Sequence, residues 1–496
     1  MPGLRHKLLS GTGYTLASVL VVQVISLLTS VIYARLLGSD NLGVLALLTQ
    51  LSAAVVPLSS LGLGTAITKL IPEYRKKGPE ELEGVVSTAL LVVLGAGIVV
   101  SLAYFFSADY LAGLFGLSSL VPNAVLLIRI SASLVVADAL LTLATAIVQG
   151  FQRVKELAVI GLAARGAGVP VIFYFTLTWG LLGAIVAGIV GLALNLAIYF
   201  TTVRSILRGE RVRFSRRRFD RRTATTILRI ALPLFASFIV LRPALLFQQS
   251  YLALRLTFGD LGLYRIATSL YRIALILPTS LSVPLLPAIS EMYAEGTRER
   301  TRGQLSSLLR ITALLSLPLT LALALGSGPV ISVLYGREYL EASTLVFVLS
   351  LAAFVDTIGL VVENTLLGTG RTLLVFALAG MQAIVISVAS FAFISLFGLL
   401  GIGYAMLLNA LLYAVVVSAY FLSKKEISFK GVRSSFGLAA VVFAIASGIV
   451  LVGGLNNLVV LVVFLGALLV VEFKLLSDRD RFVLKDALRG VFGGGS

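Results

Sequence analysis

The sequence predicts an all-α integral membrane protein of about fourteen transmembrane helices, built as two six-helix repeated halves plus two C-terminal helices. Three observations carry that expectation. Of 496 residues, 58% are hydrophobic and 13% are charged, and the mean hydropathy is +1.03. A water-soluble globule could not bury that much apolar surface. Motifs of the first half return in the second at a nearly constant offset, and Lys and Arg collect in alternate connections between apolar runs.

The repeat is read directly from short motifs. Gly180-Leu181-Leu182-Gly183 returns 218 residues later as Gly398-Leu399-Leu400-Gly401, and Gly150 and Arg153 return as Gly368 and Arg371. Leu42-Gly43 returns as Leu261-Gly262. Asp138 has its counterpart in Asp356, and both acids sit inside apolar runs where an unpaired charge is costly. A duplication that carries both acids points to a membrane transporter with two related halves.

A hydrocarbon core of ~30 Å needs roughly 20 apolar residues per helix. The first run, about 13–36, follows Arg5 and Lys7 like a signal peptide. It is long enough to span and lacks a small-residue cleavage pattern, so it reads as a retained helix. Further spans at about 42–66, 83–107, 121–149, 157–177 and 180–203 complete the N-terminal half, residues 1–204. Residues 205–223 form a basic linker containing the run Glu210 to Arg222. The C-terminal half, 224–422, has spans at about 224–254, 262–288, 305–334, 342–367, 372–396 and 399–422. Two extra helices, about 434–453 and 456–474, occupy 423–476. The tail, 477–496, places Phe482, Leu484, Leu488 and Phe492 among charges, the pattern of an amphipathic helix on the inner surface.

Charge fixes the expected orientation. With the N-terminus inside, the inner connections hold Lys69, Arg75, Lys76 and Lys77, then Arg153 and Lys155, the linker arginines, Arg298 to Arg302, Arg371 and Lys424 to Arg433. The outer connections are nearly bare of Lys and Arg, with Arg337 as the exception. Both termini are therefore expected in the cytoplasm and the protein in the plasma membrane as a multi-pass chain. The formal net charge of +17 is then explained by topology and anionic lipid contact rather than by nucleic acid.

Several classes of chemistry are excluded. The chain has no cysteine and a single histidine, His6, ahead of the first span. Disulfides, thiolate metal sites and imidazole chemistry within the membrane are thereby ruled out. Outer connections of about a dozen residues at most cannot form a catalytic domain. No P-loop, nucleophile elbow or metal-type acid cluster is present. The expectation is a protein that is not an enzyme and needs no metal or cofactor, with coupling to a proton or sodium gradient or to the membrane potential left open.

The working residues must therefore lie in the spans. The seventh carries Arg242 beside Pro243 near its middle and Arg255 near its outer end; the eighth carries Arg265 and Arg272, seven residues apart and so on one face. Tyr264 and Tyr271 run beside them. An Arg near the bilayer centre costs about 2.5–3.5 kcal/mol on insertion scales, so several together need an anionic or aqueous setting. A charge-lined substrate cavity supplies it. The other reading is internal pairing with Asp356 and Glu363, again seven apart, on the tenth span. In the first half, Arg129 and Asp138 share a span but fall on opposite faces, which leaves Arg165 as the better partner for Asp138. Each repeated Asp is either a coupling site for a proton or cation or a helix-packing group. Prolines in the seventh and eighth spans, Pro233, Pro243, Pro278, Pro284 and Pro287, allow bending that would move the arginines.

The stretch Tyr33-Ala34-Arg35-Leu36-Leu37-Gly38, followed by Leu42-Gly43, resembles a signature found after the first helix of polysaccharide transporters. These belong to the multidrug/oligosaccharidyl-lipid/polysaccharide exporter superfamily. Ala34, Arg35, Gly38 and Gly43 carry the match, and the fourteen-helix layout is similar to Wzx-type oligosaccharide-lipid flippases and to the lipid II flippase. The resemblance implies alternating access and a cationic central cavity. That role passes to Arg242, Arg265, Arg272 and Arg255 as contacts for the phosphate and head group. It also implies a lipid-linked oligosaccharide as substrate; membrane lipids as partners, no nucleic acid and a monomeric protein complete the expectation. Two features depart from relatives. The first span lacks the acidic residue of archaeal multidrug extruders, and the interiors of spans one and two lack the arginines of the lipid II flippase pattern. An ion-coupled multidrug exporter is the alternative within the superfamily, and a membrane-embedded glycan ligase is the alternative from another class.

Overall fold

The computed structural model describes residues 2–117, 123–212, 220–279 and 298–424. The two C-terminal spans, the amphipathic tail, Pro284 and Pro287 lie outside the described residues. Everything described is helix or short connection, with no strand among the described residues. Among the described residues, seven helices are long and apolar enough to cross a membrane, or eight if one bent pair counts as a span. The protein is a multi-pass helical membrane protein.

Helix α1 (Pro2–Ser60) holds the first two expected spans, joined at Gly38, whose φ of 73° and ψ of 174° break the helix. Gly tolerates this conformation because it has no Cβ. The expected second span, ending near 66, runs further. After Leu61 and Gly62, both at positive φ, α2 (Leu63–Arg75) continues it and buries Leu63, Ala66, Ile67, Leu70 and Ile71, the spacing of one helical face. Helix α3 (Pro79–Phe106) starts with Pro79 and with Glu80 and Glu81 in its first turn, where proline and negative charge suit a helix start. The short α4 (Ala108–Leu114) follows, then α5 (Ala124–Gly150).

Helix α6 (Val154–Gly209) fuses the fifth and sixth expected spans across Gly180, at φ 56° and ψ −130°. After the linker, Asp220 caps α7 (Arg221–Arg255) by accepting from the Arg222 and Thr223 amides. Helix α8 (Phe258–Ala274) follows. Helices α9 (Arg298–Leu325) and α10 (Ser327–Leu334) meet at a bend of 69°. The second repeat closes with α11 (Ala342–Gly368), α12 (Thr372–Phe397) and α13 (Leu399–Ser423).

The duplication is visible in backbone geometry. Gly398, between α12 and α13, has φ 58° and ψ −133°, nearly the values of Gly180. Arg153 and Arg371 precede their helices at φ −87°, ψ 59° and φ −82°, ψ 50°. Their amides donate to equivalent carbonyls, Val148 and Leu366. At Gly183 a Cβ would lie 1.8 Å from the Phe175 carbonyl oxygen, and at Gly401 it would lie 2.0 Å from that of Phe393. These glycines let a helix pass against the end of its predecessor.

Packing divides the chain into two compact units that cut across the sequence halves. One contains the described parts of Met1–Val31, Leu263–Leu378 and Val388–Ser496; the other contains Ile32–Gly262 and Ala379–Ser387. In the second unit, α2, α3, α5 and α6 enclose a core with Ile67, Val85, Ala139 and Ile206 at its centre, and Ile227 and Ala231 of α7 close it. In the first, α11 is the central helix. Of its most apolar window 78% is inside, against 22% to 39% for the other spans. Gly359 gives it close contact with the Tyr413 ring of α13, and Gly403 of α13 packs on Leu345 and Val348. Exposed Val99, Leu102 and Phe106 on α3 illustrate the opposite, lipid-suited kind of face.

Candidate functional site

The unit centred on α11 gathers a polar cluster from helices far apart in sequence. Tyr271 of α8 donates its hydroxyl to Asp356 Oδ2 of α11 at 2.5 Å. Glu363 stands two turns further along α11, and Tyr413 of α13 lies within electrostatic range of both carboxylates. Arg272 is within range of Tyr264 and Tyr271. Tyr264 is buried, with its hydroxyl 3.6 Å from the Met406 sulfur.

One turn and more toward the other end of α8, a second polar group continues the line. Ser269 and Ser30 of α1 share a hydrogen bond of 3.0 Å, and the buried Tyr335 donates to Ser30 at 3.2 Å. Arg265 is close enough to act on Tyr335. The α8 face thus carries Arg265, Ser269 and Arg272 at helical spacing, with Asp356 reached through a tyrosine. Arg265 is half-buried and Arg272 exposed, and among the described residues Arg272 forms no ion pair.

The side-chain partner of Asp356 among the described residues is the Tyr271 hydroxyl rather than a guanidinium. The sequence had placed Tyr271 beside Arg272 without giving it a partner. Ser30, Ser269 and Tyr335 were missed, since single hydroxyls in apolar runs carry no periodic signal. Hydroxyls whose proton satisfies a nearby helix carbonyl are common in such runs.

Arg242 and Arg255 belong to the other unit. Arg242 is half-buried on α7, where the neighbouring Ala244 packs with Ala383 and Ile386. Gln248, two turns on, is fully buried. Arg255 is exposed; its Nε donates to the Tyr251 hydroxyl at 3.0 Å, and Tyr251 stacks on Phe247. In the first repeat Arg129 pairs with Asp109 at 2.7 Å and lies over the Phe105 ring, an exposed contact at the helix end. Asp138 is half-buried on α5 and Arg165 is exposed on α6. The expected Asp138 to Arg165 pair is corrected: no ion pair joins them among the described residues.

The motif residues near the first helix have structural work. Ala34 is buried and Arg35 exposed, and Gly38 makes the turn. Gly43 packs so closely that a Cβ would fall 1.8 Å from the Phe258 carbonyl oxygen. Its repeat partner Gly262 stands in the same relation to Ser39, at 2.2 Å. Among the described residues no group of acids and histidines could hold a metal ion.

Residues 8–293 match the protein family described as "Polysaccharide biosynthesis protein". The chain belongs to that family. No curated protein matches it. Among solved structures, this family member is similar to the lipid II flippase MurJ in an inward closed conformation, at 15% identity and a TM-score of 0.72 over 94% of this chain and 99% of that one. It is also similar to an inward-facing multidrug resistance MATE family transporter of the MOP superfamily, at 16% identity and a TM-score of 0.70 over 81% and 94%. A third is a MOP superfamily transporter from Pyrococcus furiosus, at 15% identity and a TM-score of 0.64 over 85% and 96%, noted for the reverse polarity of its binding pocket. The family member thus has the MOP transporter fold.

Proposed function

We propose that this protein is a flippase that moves a polyprenyl phosphate or diphosphate carrying a short oligosaccharide from the inner to the outer leaflet of the plasma membrane by alternating access. The observation that carries this reading is Arg272, exposed on α8 beside a hydroxyl-rich cluster and without an ion pair among the described residues. A guanidinium keeps its charge when partly desolvated and offers a planar fork to a phosphate. The half-buried hydroxyls of Tyr271 and Ser269 suit a sugar head group, which presents neutral donors and acceptors.

In this reading Arg265 and Arg272 hold the anionic linkage, and Arg242 and Arg255 are further head-group contacts. Asp356, held by Tyr271, and Glu363 are the coupling groups, while Asp138 packs its repeat. Residues 1–204 and 224–422 act as the two repeated halves, 205–223 as their cytoplasmic linker, and 423–476 as additional membrane helices. Both termini face the cytoplasm, and the protein works as a monomer.

Native mass spectrometry of the protein purified from its own membranes tests this reading. A retained lipid-linked sugar is expected, and retention only of sugar-free lipids would overturn it. A second reading, export of amphipathic cations, draws on Asp356 and Glu363, whose acidic face beside Tyr413 would suit positive charge. Altered dye accumulation in cells that express the protein, with no change in glycolipid export, would favour that second reading.

A further inference from the structure

A cleft of about 1320 Å³ opens between α3, α5 and α6, and its lining includes none of the arginines proposed to hold the head group. It is larger than the ~300–1,000 Å³ of a typical site for a drug-sized molecule. Its walls are single helix faces: Val86, Leu90 and Leu94 of α3 recur every four residues, and α5 adds Leu140 to Ile147. The α6 wall is the longest. It is apolar from Ala193 to Val203 and then turns cationic at Arg204 and Arg208, with Arg211 lining the cleft from the turn just past the helix end.

The proportions match one leaflet of a bilayer. Ala193 to Val203 spans about 15 Å of helix, half of a hydrocarbon core of ~30 Å. The cations begin where that leaflet's head groups would lie. All three arginines are exposed, and none makes an ion pair among the described residues. The neighbouring acid, Glu210, is taken by Arg75, whose Nε and Nη2 donate to its two oxygens at 3.1 and 2.5 Å. Basic residues at a helix end would by themselves signify only favourable dipole contact. Here Arg204 and Arg208 continue the stripe that lines an apolar cleft, Arg211 lines it from the following turn, and Glu210, the acid adjacent in sequence, is occupied by Arg75.

We propose that this cleft binds an anionic phospholipid of the leaflet beside the basic connections. Its acyl chains lie between α3, α5 and α6, and its phosphate is held by Arg204, Arg208 and Arg211. A soluble anion fits less well, since exposed guanidiniums bind it weakly without the apolar contact. The site shares no residue with the proposed transport pathway, so it stands or falls independently of the transported substrate.

Native mass spectrometry of the full chain, equilibrated in detergent with phosphatidylglycerol or with phosphatidylcholine of the same acyl chains, tests it. Retention of one phosphatidylglycerol is expected, with phosphatidylcholine retained at least ten-fold less and inorganic phosphate failing to compete. The variant R204A/R208A/R211A should lose at least ten-fold of that retention, while K69A/K76A/K77A, equally basic but outside the cleft, should stay within two-fold of wild type. Ala197→Trp, which fills the apolar part and leaves every charge in place, should also lower retention, and it decides the matter if the triple arginine variant does not fold. Equal retention of the two lipids, competition by inorganic phosphate, loss in the lysine variant equal to that in the arginine variant, or full retention with Ala197→Trp would each overturn the proposal.

Discussion

Gly43 and Gly262, equivalent positions of the two repeats, pack against each other, each beneath a carbonyl that belongs to the other's repeat. A Cβ on Gly43 would lie 1.8 Å from the Phe258 oxygen, and one on Gly262 would lie 2.2 Å from the Ser39 oxygen. The opposing atoms are backbone, so neither side can yield by changing a rotamer. The glycine of the sequence signature is therefore a requirement of close helix approach.

Gly43→Ala should accordingly destabilise the protein by about 1–3 kcal/mol, the usual cost of overpacking. Gly262→Ala should do the same, and the double variant should fall short of the sum because the two sites touch. Thermal unfolding in detergent measures this, and wild-type stability in either single variant would refute the reciprocal contact.

Gly180 and Gly398 make a second pair, with φ of 56° and 58° and ψ near −130°. A residue with a Cβ is strained there by about 1–3 kcal/mol. Gly180→Ala and Gly398→Ala should each lower the unfolding temperature by similar amounts, since the two turns are superimposable in backbone angles. A large loss at one site and none at the other would show that the turns are not equivalent.

These glycines also show what the sequence made legible. The repeated Gly-Leu-Leu-Gly and the signature glycines mark turns and close approaches, which are local events with a local chemical cause, and they located helix breaks well. Long-range partners are another matter. Tyr271 meets Asp356 across 85 residues and Tyr335 meets Ser30 across 305, and nothing in the spacing of a hydroxyl along its own helix names a partner on another. The pairing of Arg129 with Asp109 rather than with an acid in the spans has the same origin: Asp109 is on the short α4, which the hydropathy pattern passes over as a connection. Helix length was blurred for a third reason. Residues on either side of Gly38 and Gly180 continue as helix almost without a connection, so two spans merge.

Asp220 gives a pH dependence. It accepts from the Thr223 hydroxyl and from the amides of Thr223 and Arg222, which hold its carboxyl below the ordinary 3.8. A carboxylate depressed in the folded state contributes stability above its unfolded value and loses it as pH falls through the folded one. The start of α7 should therefore weaken only on acidification below about pH 4. Asp220→Asn keeps the cap and should remove this acid-side slope, whereas Asp220→Ala should weaken the helix start at neutral pH as well; hydrogen exchange of the first turn of α7 reads both.

The Tyr271 to Asp356 contact separates coupling from packing. Asp356→Asn keeps the size and the acceptor but removes the charge. It should reduce transport at least ten-fold while changing stability by less than about 1 kcal/mol, since most isosteric changes that preserve a hydrogen bond are mild. Tyr271→Phe should shift the pH dependence of transport without abolishing it. Wild-type transport in Asp356→Asn would make the acid a packing group only.

The most direct test of the proposed function is transbilayer movement of a lipid-linked oligosaccharide in proteoliposomes containing the purified protein. Movement without formation of any new covalent bond is expected, reduced at least ten-fold in R265A/R272A and only partly restored by Arg272→Lys, which returns charge without the planar fork. Movement at the wild-type rate in the folded, membrane-inserted double variant, or transport of a cationic dye with none of the glycolipid, would contradict it.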